Sequence, residues 1–312
     1  MTRHESILGL IGDTPLVGIH QLSPNPAVRI YAKLEGQNPG GSSKDRIALK
    51  MVELAERDGV LQPGDTILEP SSGNTGIGLG LVAKLRGYRL RVVMPENVSI
   101  ERRQLLEIFG ADVVVSPAEE GSNGAIRLAE KLAADDPSLR MLFQYGNPAN
   151  PLAHYEGTGP EIWRDCPDVD VFVAGLGTSG TLMGVGRYLK EQRPAVQVVA
   201  VEPPAGELVQ GLRSLEDGFV PPIFEPDVLD RKFIVRPRES IEWLRRLLQD
   251  CGVFAGISSG AAVAGAAKMA GQMDRGTIVT LLPDGGWKYL SSGAWTDDLD
   301  VVEERATRIN YW

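Results

Sequence analysis

Short β-branched runs alternate with helical stretches along almost the whole chain, and this alternation constrains the fold more than any other feature. Strands are expected at 28–35 (VRIYAKLE), 66–70 (TILEP), 91–95 (RVVMP), 112–116 (DVVVS), 141–145 (MLFQY), 171–175 (VFVAG), 196–202 (VQVVAVE) and 277–282 (TIVTLL). Between them, 46–58 carries Ile47, Met51, Leu54 and Ala55 at helical spacing, and 99–109 reads as a helix capped by Ser99 and ended by Gly110. Such alternation builds parallel sheets through right-handed crossovers, and unbroken apolar strands fit sheets covered on both faces. The expected class is therefore α/β, with three-layer units around mainly parallel sheets. A length of 312 residues suits about two domains, with the turn-rich passage Tyr145–Pro151 (YGNPANP) as the crossover between them. Parallel α/β sheets bind ligands beyond the carboxyl ends of their strands. The strand-to-helix loops are where chemistry is expected.

Glycine marks those loops. Half of the 36 glycines fall in the segments 36–41, 73–80, 175–186, 252–265 and 285–286, which together make up under a sixth of the chain. Lacking Cβ, they let backbone N–H groups come close to an anion. The rest of the composition narrows the partners. Basic residues number 32 against 41 acidic, a formal charge of −9, which argues against nucleic acid or an anionic membrane as main partner. Cys166 and Cys251 form no disulfide framework, and the scattered His4, His20 and His154 promise no metal centre. No apolar run approaches 18 residues and the start, MTRHESILGL, is too polar for a secretory signal, so a cytoplasmic protein is expected.

Five loops carry the candidate chemistry. In Glu35–Arg46 (EGQNPGGSSKDR), Lys44 follows a glycine-proline turn and opens a helix. The positive helix N-terminus should lower its pKa, as a Schiff-base lysine requires. Asp45 and Arg46 read as a structural ion pair. In Pro70–Gly76 (PSSGNTG), successive N–H groups with Ser72, Asn74 and Thr75 make a nest suited to a carboxylate; the same residues would also serve as a plain helix cap. In Gly175–Gly180 (GLGTSG), a strand, a GxGxxG turn, a helix, a second strand and Glu202 match the dinucleotide fingerprint. An NAD-dependent oxidoreductase is thus a rival reading. Yet the hydroxyls of Thr178, Ser179 and Thr181 among these glycines suit a terminal phosphate better than a diphosphate, and that rival leaves Lys44 and the nest without a task. Phe254–Gly260 (FAGISSG) again opens a helix, and Pro283–Leu290 (PDGGWKYL) closes the last strong strand.

A lysine at a helix start, a carboxylate nest and a monophosphate nest together specify pyridoxal 5′-phosphate, which needs a Schiff base and a phosphate clamp. The sequence resembles the cysteine synthases (O-acetylserine sulfhydrylases) among the fold-type II pyridoxal-phosphate enzymes, most of all the B isozyme and its O-phosphoserine-using relatives. The resemblance runs from IGDTPLV (Ile11–Val17) through NPGGSSKDR, SSGNTG, MPENVSIERRQLLEIFGA, YGNPANP, HYEGTGPEIW, GLGTSGT and GISSGAAVAGA to KYLSSGA, nearly the whole chain.

This resemblance implies roles. Lys44 would hold the cofactor as a Schiff base and then take the substrate Cα proton. Asn74 would hydrogen-bond the ring hydroxyl oxygen, Gly177, Thr178, Ser179, Gly180 and Thr181 the phosphate, and Ser258 the pyridine nitrogen. Ser71, Ser72, Gly73 and Thr75, with Gln144, would hold the substrate carboxylate; the family usually has threonine where this chain has Ser71. The implied fold is two α/β domains. Residues 37–150 would be a smaller, mobile unit with the carboxylate loop, and 1–36 plus 151–312 a larger one holding phosphate and pyridine, with the site in the cleft. The implied reaction is β-replacement: an activated L-serine loses acetate or phosphate through an aminoacrylate, and a sulfur nucleophile adds to Cβ. Arg213 stands where relatives of this type place an arginine facing the site. A guanidinium suits a phosphate dianion, but acetylserine enzymes carry a similar arginine, so both substrates stay open. The same holds for the sulfur donor (sulfide, thiosulfate or a sulfur-carrier protein), while a homodimer is implied. Cystathionine β-synthase-like and serine/threonine dehydratase-like enzymes are the nearer alternatives, and a non-catalytic paralogue acting as a binding module is one of a different class. Whether the tail ending at Trp312 covers the cleft is left open.

Overall fold

The computed structural model describes residues 3–308 except Ser72 and Asn97. The tail question therefore falls outside the described residues, as does the side chain of Ser72. Among the described residues the strands form two sheets. One has the order β1 (Leu16–Gly18), β2 (Val28–Leu34), β10 (Gly276–Leu282), β7 (Val171–Gly175), β8 (Gln197–Glu202) and β9 (Arg231–Ile234). The other has the order β5 (Asp112–Ser116), β4 (Arg89–Pro95), β3 (Thr66–Pro70) and β6 (Leu139–Met141). All neighbours are parallel except the edge pair β1–β2, which runs antiparallel with Leu16 opposite Lys33.

Helices cover both faces of each sheet, which is why the inner strands are largely apolar, with Lys33 and Glu69 as fully buried exceptions. In the larger sheet Val171, Val173, Val199 and Val201 pack toward α8 (Pro237–Cys251) and α9 (Ile257–Ala270), while Phe172, Ala174, Val198 and Ala200 pack toward α6 (Gly159–Asp165) and α7 (Gly180–Gln192). This is the two-residue alternation of a strand read on both sides. The smaller sheet repeats it. Ile67 and Val92 meet α1 (Lys44–Arg57) and α2 (Asn74–Arg86), and Leu68 and Val93 meet α4 (Gly121–Asp135). Each fully buried side chain of this kind contributes roughly 1.5–3 kcal/mol.

Several local expectations need correction. The strand expected at 141–145 ends at Met141, because the amides of Phe143 and Gln144 donate to the Glu69 carboxylate (2.8 and 3.0 Å) and Phe143 turns to φ +56°. β1 and β9 were not expected. Both are exposed edge strands without an apolar run, which is how sheet edges are kept from pairing further. In the expected turn Tyr145–Pro151, a short helix, α5 (Ala149–Ala153), begins at Ala149. Ser99 precedes α3 (Ile100–Ile108) but does not cap it; its hydroxyl donates to the Lys288 carbonyl (3.4 Å). No helix among the described residues is long and apolar enough to cross a membrane.

Candidate active site

The carboxyl ends of β3, β7 and β10 open on one cleft of about 720 Å³. An adjoining cavity of about 440 Å³ shares Lys44, Thr178 and Ser258 with it. Of the residues singled out from sequence, Lys44, Ser71, Gly73, Asn74, Thr75, Gln144, Gly177, Thr178, Arg213 and Ser258 line the cleft. Ser179 and Thr181 line the adjoining cavity, and Gly180 begins α7 beside them.

Lys44 is the first residue of α1, as its loop suggests. Its pKa is lowered, but chiefly by desolvation; Asp284 and Glu35 pull it back up. The loop before it is braced from both sides. The Gly40 amide donates to Asp45 (2.5 Å) and the Ser43 amide to the Pro283 carbonyl (2.8 Å).

Asp45 and Arg46, expected to pair with one another, do not. Arg46 instead grips Glu35 (2.7 and 2.8 Å) and Glu161 (2.6 and 2.8 Å), both buried, and Lys33 joins Glu161 at 2.7 Å. Consecutive residues on a helix point about 100° apart, so adjacency in sequence works against an ion pair. Burial pushes the Glu161 pKa up, but Arg46 and Lys33 more than offset that and hold it at about 2. Burial above all keeps the Asp45 carboxyl high, at about 6.

The nest before α2 is partly used by its own side chains. The Ser71 hydroxyl oxygen accepts from the amides of Gly73 (3.2 Å) and Gly76 (3.0 Å), leaving its hydrogen to donate. The Thr75 hydroxyl donates to Gln144 Oε1 (2.6 Å), and Gln144 Nε2 to the Pro70 carbonyl (3.3 Å). The hydroxyl that takes up amides at this helix start is thus Ser71's, while Asn74 and Thr75 bond elsewhere.

The loop before α7 leaves polar groups unused. Ser179 sits in the left-handed region (φ +70°), and its buried hydroxyl has no partner among the described residues. The first helical hydrogen bond is Met183 N–H to the Ser179 carbonyl (3.0 Å), so the amides just before Met183 are left without helical acceptors. A Cβ on Gly180 would lie 1.8 Å from Asn150 Oδ1, and one on Gly177 2.8 Å from the Gly211 carbonyl oxygen. Two residues not singled out from sequence hold the loop. Asn150 Nδ2 donates to Thr178 Oγ1 and the Gln144 carbonyl, both 2.9 Å. His154 lies between Thr158 Oγ1 (2.9 Å) and Thr181 Oγ1 (3.1 Å), in a π-helical turn at 154–158. Burial holds its pKa at about 3, so it is neutral.

Two arginines reach the cleft. Arg213 is buried, with its guanidinium 4.5 Å from the Phe219 ring centre and 5.4 Å from that of Tyr145. Arg102 of α3, missed from sequence, lies over Tyr289 at 4.6 Å and donates to Gln210 (3.3 Å). The orphaned Ser179 hydroxyl, the glycine cradle and the amine of Lys44 in the same hollow fit pyridoxal 5′-phosphate. The dinucleotide reading loses its acid. Glu202 is fully buried and committed to Lys232 (2.6 Å) and the Leu215 amide (3.2 Å).

Comparison with known proteins agrees with this fit. The family of pyridoxal-phosphate dependent enzymes matches residues 7–284. A cysteine synthase of Staphylococcus aureus is 43% identical over 304 residues, covering 94% of this chain and 98% of that protein. A cysteine synthase B of Pseudomonas aeruginosa is 40% identical over 294 residues, with 94% and 98% covered. The crystal structure of an O-ureido-L-serine synthase superposes with a TM-score of 0.89 at 41% identity, covering 94% of this chain and 96% of that one. The chain belongs to the pyridoxal-phosphate dependent enzymes, within the cysteine synthase family.

Proposed function

We propose that this site makes L-cysteine by β-replacement on an activated L-serine. The observation that carries the reading is the convergence of Lys44, a carboxylate nest and a terminal-phosphate cradle on one cleft. Pyridoxal 5′-phosphate, when bound, supplies an aldehyde that takes up an amine and a conjugated ring that acidifies the adjoining Cα–H. Lys44 would hold that aldehyde at rest, and its amine is the base placed to take the substrate Cα proton. Burial lowers its pKa, which favours the neutral amine that both tasks need. The loop 177–181 holds the phosphate, Asn74 the ring oxygen, and Ser71, Ser72, Gly73, Thr75 and Gln144 the substrate carboxylate. Ser258 offers the pyridine nitrogen a neutral hydroxyl, which does not enforce protonation as a carboxylate would. Elimination tolerates this, because the electrons of the Cα–H bond leave with the β-substituent.

The leaving group we assign is phosphate. Lys44, Arg102 and Arg213 line the cleft, and no carboxylate stands among the described lining residues. A dianion gains more from such a field than a neutral acetyl ester does. Single-turnover consumption of O-phosphoserine and O-acetylserine by Arg213→Ala tests this. Phosphoserine turnover should fall by about tenfold to a hundredfold, the cost of one charged hydrogen bond, with acetylserine turnover nearly unchanged. Equal losses on both substrates would defeat the assignment. The same reading takes residues 37–150 as a unit that closes over the cleft, and the protein as a cytoplasmic homodimer. Sulfide as the incoming sulfur would give L-cysteine directly, whereas thiosulfate or a carrier protein's thiocarboxylate would leave an S-substituted cysteine that a separate reaction must cleave.

A further inference from the structure

Asn74 is held at both ends of its amide by residues of the loop that follows β10. Lys288 Nζ donates to Asn74 Oδ1 (2.7 Å), and Asn74 Nδ2 donates to Asp284 Oδ2 (2.8 Å). These two partners fix which way the amide faces. An ammonium only donates and an ionised carboxylate only accepts, so Lys288 demands the oxygen and Asp284 the nitrogen. A flipped amide would set N–H against ammonium and oxygen against carboxylate. The Nδ2 group has two hydrogens and Asp284 takes one.

Lys288 is built into this position. It is fully buried, its second bond goes to the Gly40 carbonyl (2.9 Å) in the loop before Lys44, and its ammonium lies 5.2 Å from the Trp287 ring centre. Asp284 in turn accepts from the Tyr289 hydroxyl. One buried cation thus ties together the Lys44 loop, the Asn74 loop and the loop after β10.

We propose that Lys288 and Asp284 are positioning residues that hold the Asn74 amide with its second N–H turned to the cleft, as a fixed donor for the ring oxygen of pyridoxal 5′-phosphate. The assignment rests on the family membership and on the reading of Asn74 as the ring-oxygen contact. Lys288 also places a positive charge one hydrogen bond behind that donor, which strengthens it toward an anionic oxygen.

The test uses apoprotein and pyridoxal 5′-phosphate, read by binding titration and by the visible absorption band of the bound cofactor, with far-UV circular dichroism as a control for folding. Lys288→Met should weaken cofactor binding by about tenfold to a hundredfold and displace the band, and Lys288→Arg, which keeps the donor, should restore both. Asp284→Ala releases the other end of the amide and should displace the band in the same way, which keeps the proposal testable if Lys288→Met does not fold. Wild-type affinity and an unmoved band in Lys288→Met or Asp284→Ala, or no restoration by Lys288→Arg, would overturn it. Failure of the wild-type apoprotein to take up the cofactor would overturn instead the reading on which it rests.

Discussion

At the scale of single residues, the charges that matter here are the ones taken out of water. Glu35, Arg46, Glu161 and Lys33 form a buried cluster behind the Lys44 helix, and His154 lies close enough to feel the fields of Glu35 and Arg46. Such a cluster ties acid stability to named groups. The His154 pKa is about 3 when folded against an ordinary 6.5, so between those values the unfolded chain binds a proton that the folded one refuses. The His154 contribution to stability is therefore full above pH 6.5 and declines as pH falls toward 3, by roughly 1.4 kcal/mol for each unit. Glu161 acts in the same direction from its ordinary 4.5 down to about 2, because its folded form stays ionised. Denaturant unfolding across pH 3–7 should show a shallower loss in His154→Asn than in the wild type. An identical slope in the two proteins would remove His154 from this account. None of this was legible from the motif HYEGTGPEIW, since the neutral state of His154 comes from burial, a tertiary property. The same blindness misassigned Asp45 and Arg46. Their adjacency invited a pair, while Arg46's actual acceptors lie 11 and 115 positions away.

At the scale of elements, the sequence is most legible where local chemistry and packing agree. Strands at 66–70, 112–116 and 171–175 run as their β-branched composition suggests. Expectation failed where a side chain intercepts the backbone, as Glu69 does for the amides after β6, or where an edge strand such as β9 has no apolar face to announce it. Glycines in helices follow the same logic of close approach. α8 and α9 pack so tightly that a Cβ on Gly260 would lie 1.9 Å from the Ser240 carbonyl oxygen and 2.8 Å from the Leu244 amide nitrogen, both backbone atoms. Gly260→Ala must push one helix off the other, and a loss of about 1–3 kcal/mol or more is expected in denaturant unfolding. A change within about 0.5 kcal/mol, the range of an ordinary surface substitution, would contradict this packing.

At the scale of the whole molecule, two α/β sheets present the carboxyl ends of their strands to one cleft. The glycine-marked loops point to Lys44 and the 177–181 loop, because close backbone approach leaves a mark in the residue types, whereas Ser258 is picked out only by the family resemblance. The braces behind them leave none: Asn150 behind Thr178, Lys288 and Asp284 around Asn74, and Arg102 over Tyr289 are joined by the fold alone. The central claim is that Lys44 carries pyridoxal 5′-phosphate in this cleft. The visible absorption spectrum of purified protein tests it most directly, with Lys44→Ala measured alongside. A yellow wild type whose band is lost or displaced in Lys44→Ala is the result expected. A colourless wild type that takes up no pyridoxal 5′-phosphate, or a band indifferent to Lys44→Ala, would contradict it.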